Sequence, residues 1–366
     1  MRRAFDHENL IDSGRFSGRF LPVHRHPGRL ALALASLLLF APAGLPAGGK
    51  KVRPGPPAAE GPFVPSVPFP GRNPDSLDVY NASGVAALPD GRLLFVDNNA
   101  DRAVYTFTLD DRHRLTAPPR RAGFDLKGVP PADLEGLTLA LAGDRPVLFG
   151  VSSLSAPKRG KVPGAAAGSL VRITVDGENI SAESMPGFRE WLVDSVPGLA
   201  AASGLEADAG GLNVEGLAWD PWRGTLLLGL RTPLADGRPL VLPLRVRDLA
   251  GPWTPANLEA FEPIRLDLVN AEAGMSIRGL EYDPDREGFL VLLGNAVSGG
   301  RAPFRLAFWD GSDEGRTELL PGLLFSPKVK PESVTRVRSA QGTFLLVVDD
   351  GGGFAVIPDA PAPEGP

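Results

Sequence analysis

Three glutamates are the residues best placed to do chemistry. Glu135, Glu215 and Glu332 each precede a small residue and then a Leu or Val, in the phrases Glu-Gly-Leu, Glu-Gly-Leu and Glu-Ser-Val. Ser83 and Arg278 hold the same position in two further copies, Ser-Gly-Val and Arg-Gly-Leu. Oxygen ligands suit calcium or magnesium, so the three carboxylates, brought together, are a candidate site for either hard cation. A close carboxyl pair with one proton retained is a candidate acid and base. Carboxylates drawn together repel, so the same place must also hold positive charge. Arg231 and Arg278 can supply it, and their guanidinium forks also suit a phosphate or carboxylate ligand. The plainer alternative is that the glutamates pair with these arginines, or with backbone amides, and orient the fold without chemistry.

Other chemistries are excluded by composition. There is no cysteine, which removes disulfides, thiol nucleophiles and cysteine-held zinc or iron. Of four histidines, His7, His24 and His26 fall in a segment that reads as a cleaved leader. Only His113 is left, in the charged stretch Asp110-Asp-Arg-His-Arg114, which reads as a surface turn. A histidine-rich metal site is thereby ruled out, and a Ser-His-acid triad would need that one residue. Asp349-Asp350-Gly-Gly-Gly353 lacks the spaced aspartates of a calcium loop and reads as a turn. No Gly-rich stretch is followed by Lys-Ser/Thr and a helix, so no phosphate loop is present. Trp219, Trp222 and Trp309 are candidates for a sugar-binding surface, with packing between strands as the preferred reading.

The elements that must position the glutamates repeat along the chain. Ser83, Glu135, Glu215, Arg278 and Glu332 are separated by 52, 80, 63 and 54 residues. After each comes a short strand, a turn rich in Asp, Gly, Pro or Gln, and a second apolar strand ending in polar residues. Further strand-like segments follow most pairs, such as AVYTFTL (103–109) and PLVLPLRV (239–246). About four short strands per unit, at a period near 50, is the pattern of a β-propeller blade. The fold expected is all-β, a propeller of five blades, or six if two units have been merged. Gly and Pro together are 82 of 366 residues, which suits many turns and argues against a helical protein. The long second unit is expected to hold one short helix on the rim, PGFREWLVDSV, with Phe188, Trp191, Leu192 and Ser195 on one face. A shorter helix is expected to start at Thr254-Pro255. The last unit has no room for a fourth strand, which residues 63–80 are expected to supply. First strands crowd the axis, so the Gly behind each polar residue lets backbones approach. The leading polar residues should therefore ring one channel mouth, with Asp97, Asn98, Ser152, Arg231, Asn295 and Asp349, at the ends of the second strands, close by.

The phrases Asp133-Leu-Glu-Gly-Leu137, Asn213-Val-Glu-Gly-Leu-Ala-Trp-Asp-Pro221, Leu228-Gly-Leu-Arg-Thr-Pro233 and Gly274-Met-Ser-Ile-Arg-Gly-Leu280 run through most of residues 80–350. They resemble an uncharacterised bacterial propeller family, a domain of unknown function, which implies the fold and carries no activity. The Glu-Gly-Leu habit is also similar, more weakly, to the exported esterase-like phytase propellers. That likeness implies phosphomonoester chemistry with bound calcium, although the dense acidic clusters of such metal sites are not evident here.

Residues 1–43 read as a signal peptide: Arg15, Arg19, Arg25 and Arg29 precede an apolar run from Leu30 to Phe40 and the small-x-small pattern Ala41-Pro-Ala43. The run is short of the ~20 residues that span a bilayer. Residues 44–75 are expected to form a Pro/Gly-rich tether, 76–360 the propeller and 361–366 a disordered tail. Without the leader the chain carries 32 basic and 40 acidic residues, a net charge of −8, which disfavours nucleic acid. The expectation is a periplasmic or secreted module, with no transmembrane span once processed, that binds a small molecule or a protein at the polar channel mouth. The alternative is a metal-assisted hydrolase, phosphoesterase-like, using the channel carboxylates. The ligand-binding candidates are Glu135, Glu215, Glu332, Arg231, Arg278, Asp97, Asn295 and Asp349. The metal candidates are Glu135, Glu215 and Glu332, holding calcium or magnesium.

Overall fold

The computed structural model describes residues 63–358, except 75–77, 101, 144, 157–167, 270, 301, 327 and 341. The expected leader, residues 44–62 of the tether and the 361–366 tail lie outside the described residues.

Each recurring phrase begins the first strand of a separate antiparallel sheet, and there are five such sheets. Blade one is Ala82–Ala87, Leu93–Asp97, Ala103–Phe107 and Arg120–Gly123. Blade two is Leu134–Ala142, Arg145–Ser152, Leu170–Asp176 and Asn179–Ser184, with Asp125–Lys127 added parallel at its outer edge. Blade three is Asn213–Asp220, Thr225–Thr232 and Leu240–Val246, and its outer edge is shared by Leu258–Ala260 and Ile264–Arg265. Blade four is Met275–Asp283, Gly288–Asn295, Arg305–Trp309 and Arg316–Leu319, with Asp267–Val269 parallel at the edge. Blade five is Pro331–Ser339, Gly342–Asp349 and Gly353–Pro358. The first strands touch in cyclic order, one to two and onward, with five returning to one. The protein is a five-bladed β-propeller.

The ring is closed by a strand from the other end of the chain. Val67–Pro68 pairs antiparallel with Phe354 and Gly353 and becomes the fourth strand of blade five. Just before it, Phe63–Val64 pairs parallel with Leu324–Phe325. The segment 63–74, which composition assigned to the tether, is therefore built into the propeller. Phe69 anchors the closure: it is buried and stacks on Phe95 at 5.0 Å, with Phe107 and Phe354 each at 5.3 Å. An apolar cluster from blades one and five surrounds it.

Blades stacked face to face bury both sides of each sheet. Second strands therefore read as continuous apolar runs; Leu93–Asp97 is buried at every position, and Thr225–Thr232 at all but Arg231. The long second unit carries two helices before blade three, α1 (Phe188–Ser195) and α2 (Leu199–Ser203). Phe188 and Leu192 face the core as expected, while Ser195 is exposed and Val196, one residue on, is buried in its place. The helix expected at Thr254-Pro255 is a single 3-10 turn, Pro255–Asn257, following buried Trp253. Among the described residues, no helix is long and apolar enough to cross a membrane.

Candidate functional site: the axial channel

Every leading polar residue is the extra residue of a β-bulge. In blade one Ala82 pairs with Asp97 and Gly84 with Val96, which leaves Ser83 without an opposite number. The same slip leaves out Glu135, Glu215, Arg278 and Glu332 in the other four blades. A bulge re-aims a side chain that the pleat would otherwise send into a blade interface. Arg231 is likewise skipped in the second strand of blade three, so both charges of that hairpin are bulge residues.

The residue after each bulge meets the next blade. A Cβ on Gly84 would lie 2.7 Å from the Leu137 backbone N, and one on Gly136 would lie 2.7 Å from the Leu217 Cβ. On Gly216 it would lie 2.8 Å from Ile277 Cγ2, and on Gly279 3.0 Å from the Glu332 carbonyl. Backbones this close leave no room for a side chain. The fifth position is Ser333, whose hydroxyl accepts the Val85 N–H at 3.2 Å and so links blade five to blade one.

The bulged charges then interlock. Arg278 Nη1 lies 2.8 Å from Glu215 Oε2, and its Nη2 pairs with Glu332. Arg231 Nη1 lies 2.9 Å from Glu215 Oε1, its Nε donates to the Ala296 carbonyl at 3.0 Å, and Asn213 Nδ2 donates to the same Glu215 oxygen at 3.2 Å. Glu215, Arg278 and Glu332 are buried. The positive charge required by three converging carboxylates is thus supplied by two arginines. The Arg278 guanidinium fills the space between Glu215 and Glu332 where a cation would bridge them. Among the described residues, no group of three His, Asp or Glu side chains is arranged to hold a metal ion.

Three carboxylates against two guanidiniums leave one in excess. Glu135 makes no hydrogen bond or ion pair with another described residue. Burial pushes its carboxyl well above the usual range, Glu215, Asp133 and Glu332 add to this, and Arg278 opposes it. Burial also raises Glu332 to about 8, against the pull of Arg278. Arg278 is held protonated, the pull of Glu215 and Glu332 outweighing its burial. The ring therefore retains a proton near neutrality. Glu135 keeps partial exposure although protein surrounds it, as a side chain lining a channel does.

The other candidates turn away from the ring of charges. Asp97 accepts from Asn73 Nδ2 at 2.7 Å and from the Asn81 N–H at 2.8 Å. Asn295 clips its loop through the Ala302 carbonyl and N–H at 2.9 and 2.8 Å. Asp349 accepts from Ser66 Oγ at 2.5 Å and from the Gly351 N–H at 2.8 Å, and burial raises its pKa. These three anchor chain reversals rather than join the ring of charges. His113 lies in a turn of blade one with its ring 4.4 Å from that of Phe344, so it has no part in the channel site.

Beyond the bulges the five first strands open into a basin of about 710 Å³. Every blade lines it: Ala87 from one, Thr138 and Leu139 from two, Trp219 from three, Glu281 from four, Arg336 from five. These residues follow the bulges on the same strands, so the basin is the other mouth of the channel. Glu281 accepts from Thr335 Oγ1 at 2.9 Å, and burial raises its carboxyl to about 8. Thr138 Oγ1 accepts the Trp219 N–H at 3.0 Å. Arg336 pairs with Asp283 at 2.6 Å and with Asp285 at 3.3 Å.

Glu281 was not anticipated from the sequence, although a signal existed. Three residues after each bulge stand Ala86, Thr138, Ala218, Glu281 and Thr335, small or polar in every blade. The tryptophans divide. Trp309 is core, Trp219 packs against Phe149 while lining the basin, and Trp222 is 75% exposed, contrary to the packing expectation. Its indole N–H donates to the Tyr282 hydroxyl at 2.7 Å, which holds the ring at the basin edge.

No protein-family model and no curated protein matches the chain. Solved structures match the chain at low similarity. The Malassezia sympodialis allergen Mala s 1 is 12% identical with a TM-score of 0.39, over 76% of each chain. A putative oxidoreductase (glucose dehydrogenase) from Thermus thermophilus is 15% identical with a TM-score of 0.36, over 76% of this chain and 96% of its own. The WD40 propeller domain of Doa1 is 9% identical with a TM-score of 0.35, over 81% and 97%. At these values the likeness says nothing about ligand or reaction, and the fold rests on the five sheets themselves.

Proposed function

We propose that the chain is an exported ligand-binding propeller that receives a small molecule in the axial basin. The observation that carries this reading is the basin itself. All five blades build it, and its volume of about 710 Å³ lies within the ~300–1,000 Å³ of small-molecule sites. Its lining is mainly apolar with a few polar groups, as such sites are. The charged ring at the other mouth, where Arg278 sits between Glu215 and Glu332, acts as a plug and as a brace between blades. The anionic dye 1-anilinonaphthalene-8-sulfonate and neutral aromatic alcohols should bind in one-to-one stoichiometry. Leu139→Arg, which fills the basin, should abolish that binding. Binding that survives the substitution, or a native protein that takes up none of these probes, would overturn the reading.

Export is supported by the leader pattern in residues 1–43, and secretion or a periplasmic location follows from it. N-terminal sequencing of the mature protein should find cleavage near Ala43. The resemblance of the longer phrases at 133–137, 213–221, 228–233 and 274–280 supports placing the chain with the uncharacterised bacterial propeller family.

A second reading, hydrolysis of a phosphate ester, is favoured by Glu135, a carboxyl beside the channel whose pKa burial raises. With calcium or magnesium it would require Arg278 to withdraw from between Glu215 and Glu332. Elemental analysis with and without chelator, and p-nitrophenyl phosphate turnover that disappears in Glu135→Gln, would support it. A metal-free protein with no turnover would end it.

A further inference from the structure

Three charged side chains line the basin: Glu281, Arg336 and Arg338. Both arginines are committed to aspartates. Arg336 pairs with Asp283 and Asp285, Arg338 pairs with Asp285, and Asp283 also meets Arg286 at 3.6 Å. Glu281 has no ion-pair partner among the described residues. It accepts from the Thr335 hydroxyl and from the backbone N–H of Arg336, which leaves acceptor capacity unused.

The walls around this carboxyl are aromatic and aliphatic. Trp219, Tyr282, Leu139, Leu88 and Ala87 all line the basin. Trp222 stands at the edge, exposed but fixed by its hydrogen bond to Tyr282. A large exposed aromatic held by a cross-blade hydrogen bond is organised for a partner rather than for packing. Indole faces attract cations and cover apolar groups equally well.

We propose, resting on the binding reading above, that the basin takes a molecule with an aliphatic or aromatic body and a protonated amine, the ammonium seated on the Glu281 carboxylate and the body against Trp219, Tyr282 and Trp222. The free protein holds a proton on Glu281 near neutrality, because burial raises that group to about 8. The ligand arrives already protonated. Its charge displaces the Glu281 proton to solvent, and the carboxylate and ammonium remain as a neutral pair. Up to one proton is therefore released for each ligand bound at pH 7. Neutral analogues of the same shape release none.

The test uses the full chain, with 2-(1-naphthyl)ethylamine and the uncharged 2-(1-naphthyl)ethanol as probes. Calorimetric titration at pH 7 in phosphate and in Tris reads both affinity and proton release. The amine should bind at least about tenfold more tightly than the alcohol, with release approaching one proton. Glu281→Gln, an isosteric change that should melt no lower than the native protein, should bring the amine down to the alcohol's affinity and abolish the release. If the alcohol binds as well as the amine, or Glu281→Gln leaves the amine unaffected, the amine assignment falls while basin binding stands. If neither probe binds the folded protein, both fall.

Discussion

Arg278 of blade four reaches across the blade boundary to Glu215 of blade three, Nη1 to Oε2, at 2.8 Å. Its other terminal nitrogen pairs with Glu332 of blade five. One guanidinium therefore ties three consecutive blades at the axis. It can do so because all three residues sit at β-bulges and project toward a common centre.

That arrangement makes Arg278 the most sensitive charge in the ring. Arg278→Met would leave Glu215 and Glu332 buried without their shared counter-ion. Breaking a buried pair from one side costs about 3–5 kcal/mol. Urea unfolding should show a loss of that order. Adding Glu332→Gln to the same chain should recover part of it, because one uncompensated carboxylate is then gone. A loss under about 1 kcal/mol would mean that water already screens the ring.

The glycines behind the bulges should refuse a methyl group. Gly136→Ala places a Cβ 2.7 Å from Leu217 Cβ, and Gly216→Ala places one 2.8 Å from Ile277 Cγ2. Overpacking of this kind costs about 1–3 kcal/mol. Gly150→Ala is the control, because its nearest neighbour would lie at 3.6 Å, an ordinary contact. Thermal melts should separate the two glycines from the control by several degrees.

Stability should decline from mildly acidic toward alkaline pH. Glu281 and Glu332 titrate near 8 in the folded protein against 4.5 as the ordinary value, and Glu135 is also raised. Between those limits the folded chain binds more protons than the unfolded one, so rising pH favours unfolding. The penalty is absent below about 4.5 and complete once the pH has passed the folded values. Urea midpoints taken from pH 5 to pH 9 should fall, and Glu281→Gln should flatten part of the slope. Midpoints that rise over this range would contradict the raised carboxyls.

Closure of the ring should depend on residues 67–69. Phe69→Ala empties a site between Phe95, Phe107 and Phe354, and losses of this type are about 3–5 kcal/mol. Deleting the chain through Pro70 removes the same ring and the fourth strand of blade five. Both variants should melt well below the native protein, with the deletion the lower. A deletion with an unchanged melting temperature would show that the ring does not need this strand.

Much of this was legible as text. A polar residue, a small residue, an apolar residue and a turn recur five times, and each of those four positions has one physical role. The polar residue is aimed at the axis, the small one admits the next backbone, the apolar one packs between blades, and the turn reverses the chain. The shortage of strands in the last unit pointed to closure by the opposite end of the body. Glu281 was less visible because it sits inside a strand, where a lone acid reads as an exposed face. Asp97, Asn295 and Asp349 also end second strands, yet their short side chains bond to Asn73 and Asn81, to Ala302, and to Ser66 and Gly351 instead of to the ring. Arg231, with a longer reach, enters the ring.

The linear order of residues determined the architecture by itself. Strand period, turn chemistry and the five-fold phrase depend on neighbours along the chain, and those are printed in it. Only the tertiary structure decided which charges meet. The register slip that exposes Glu215 to Arg278, the burial that raises the Glu135 carboxyl, and the basin at the far mouth all arise from five strands packed about one axis. Electrostatic energy depends on distance and burial in space, and neither can be read from separations of 52 to 80 residues along the chain.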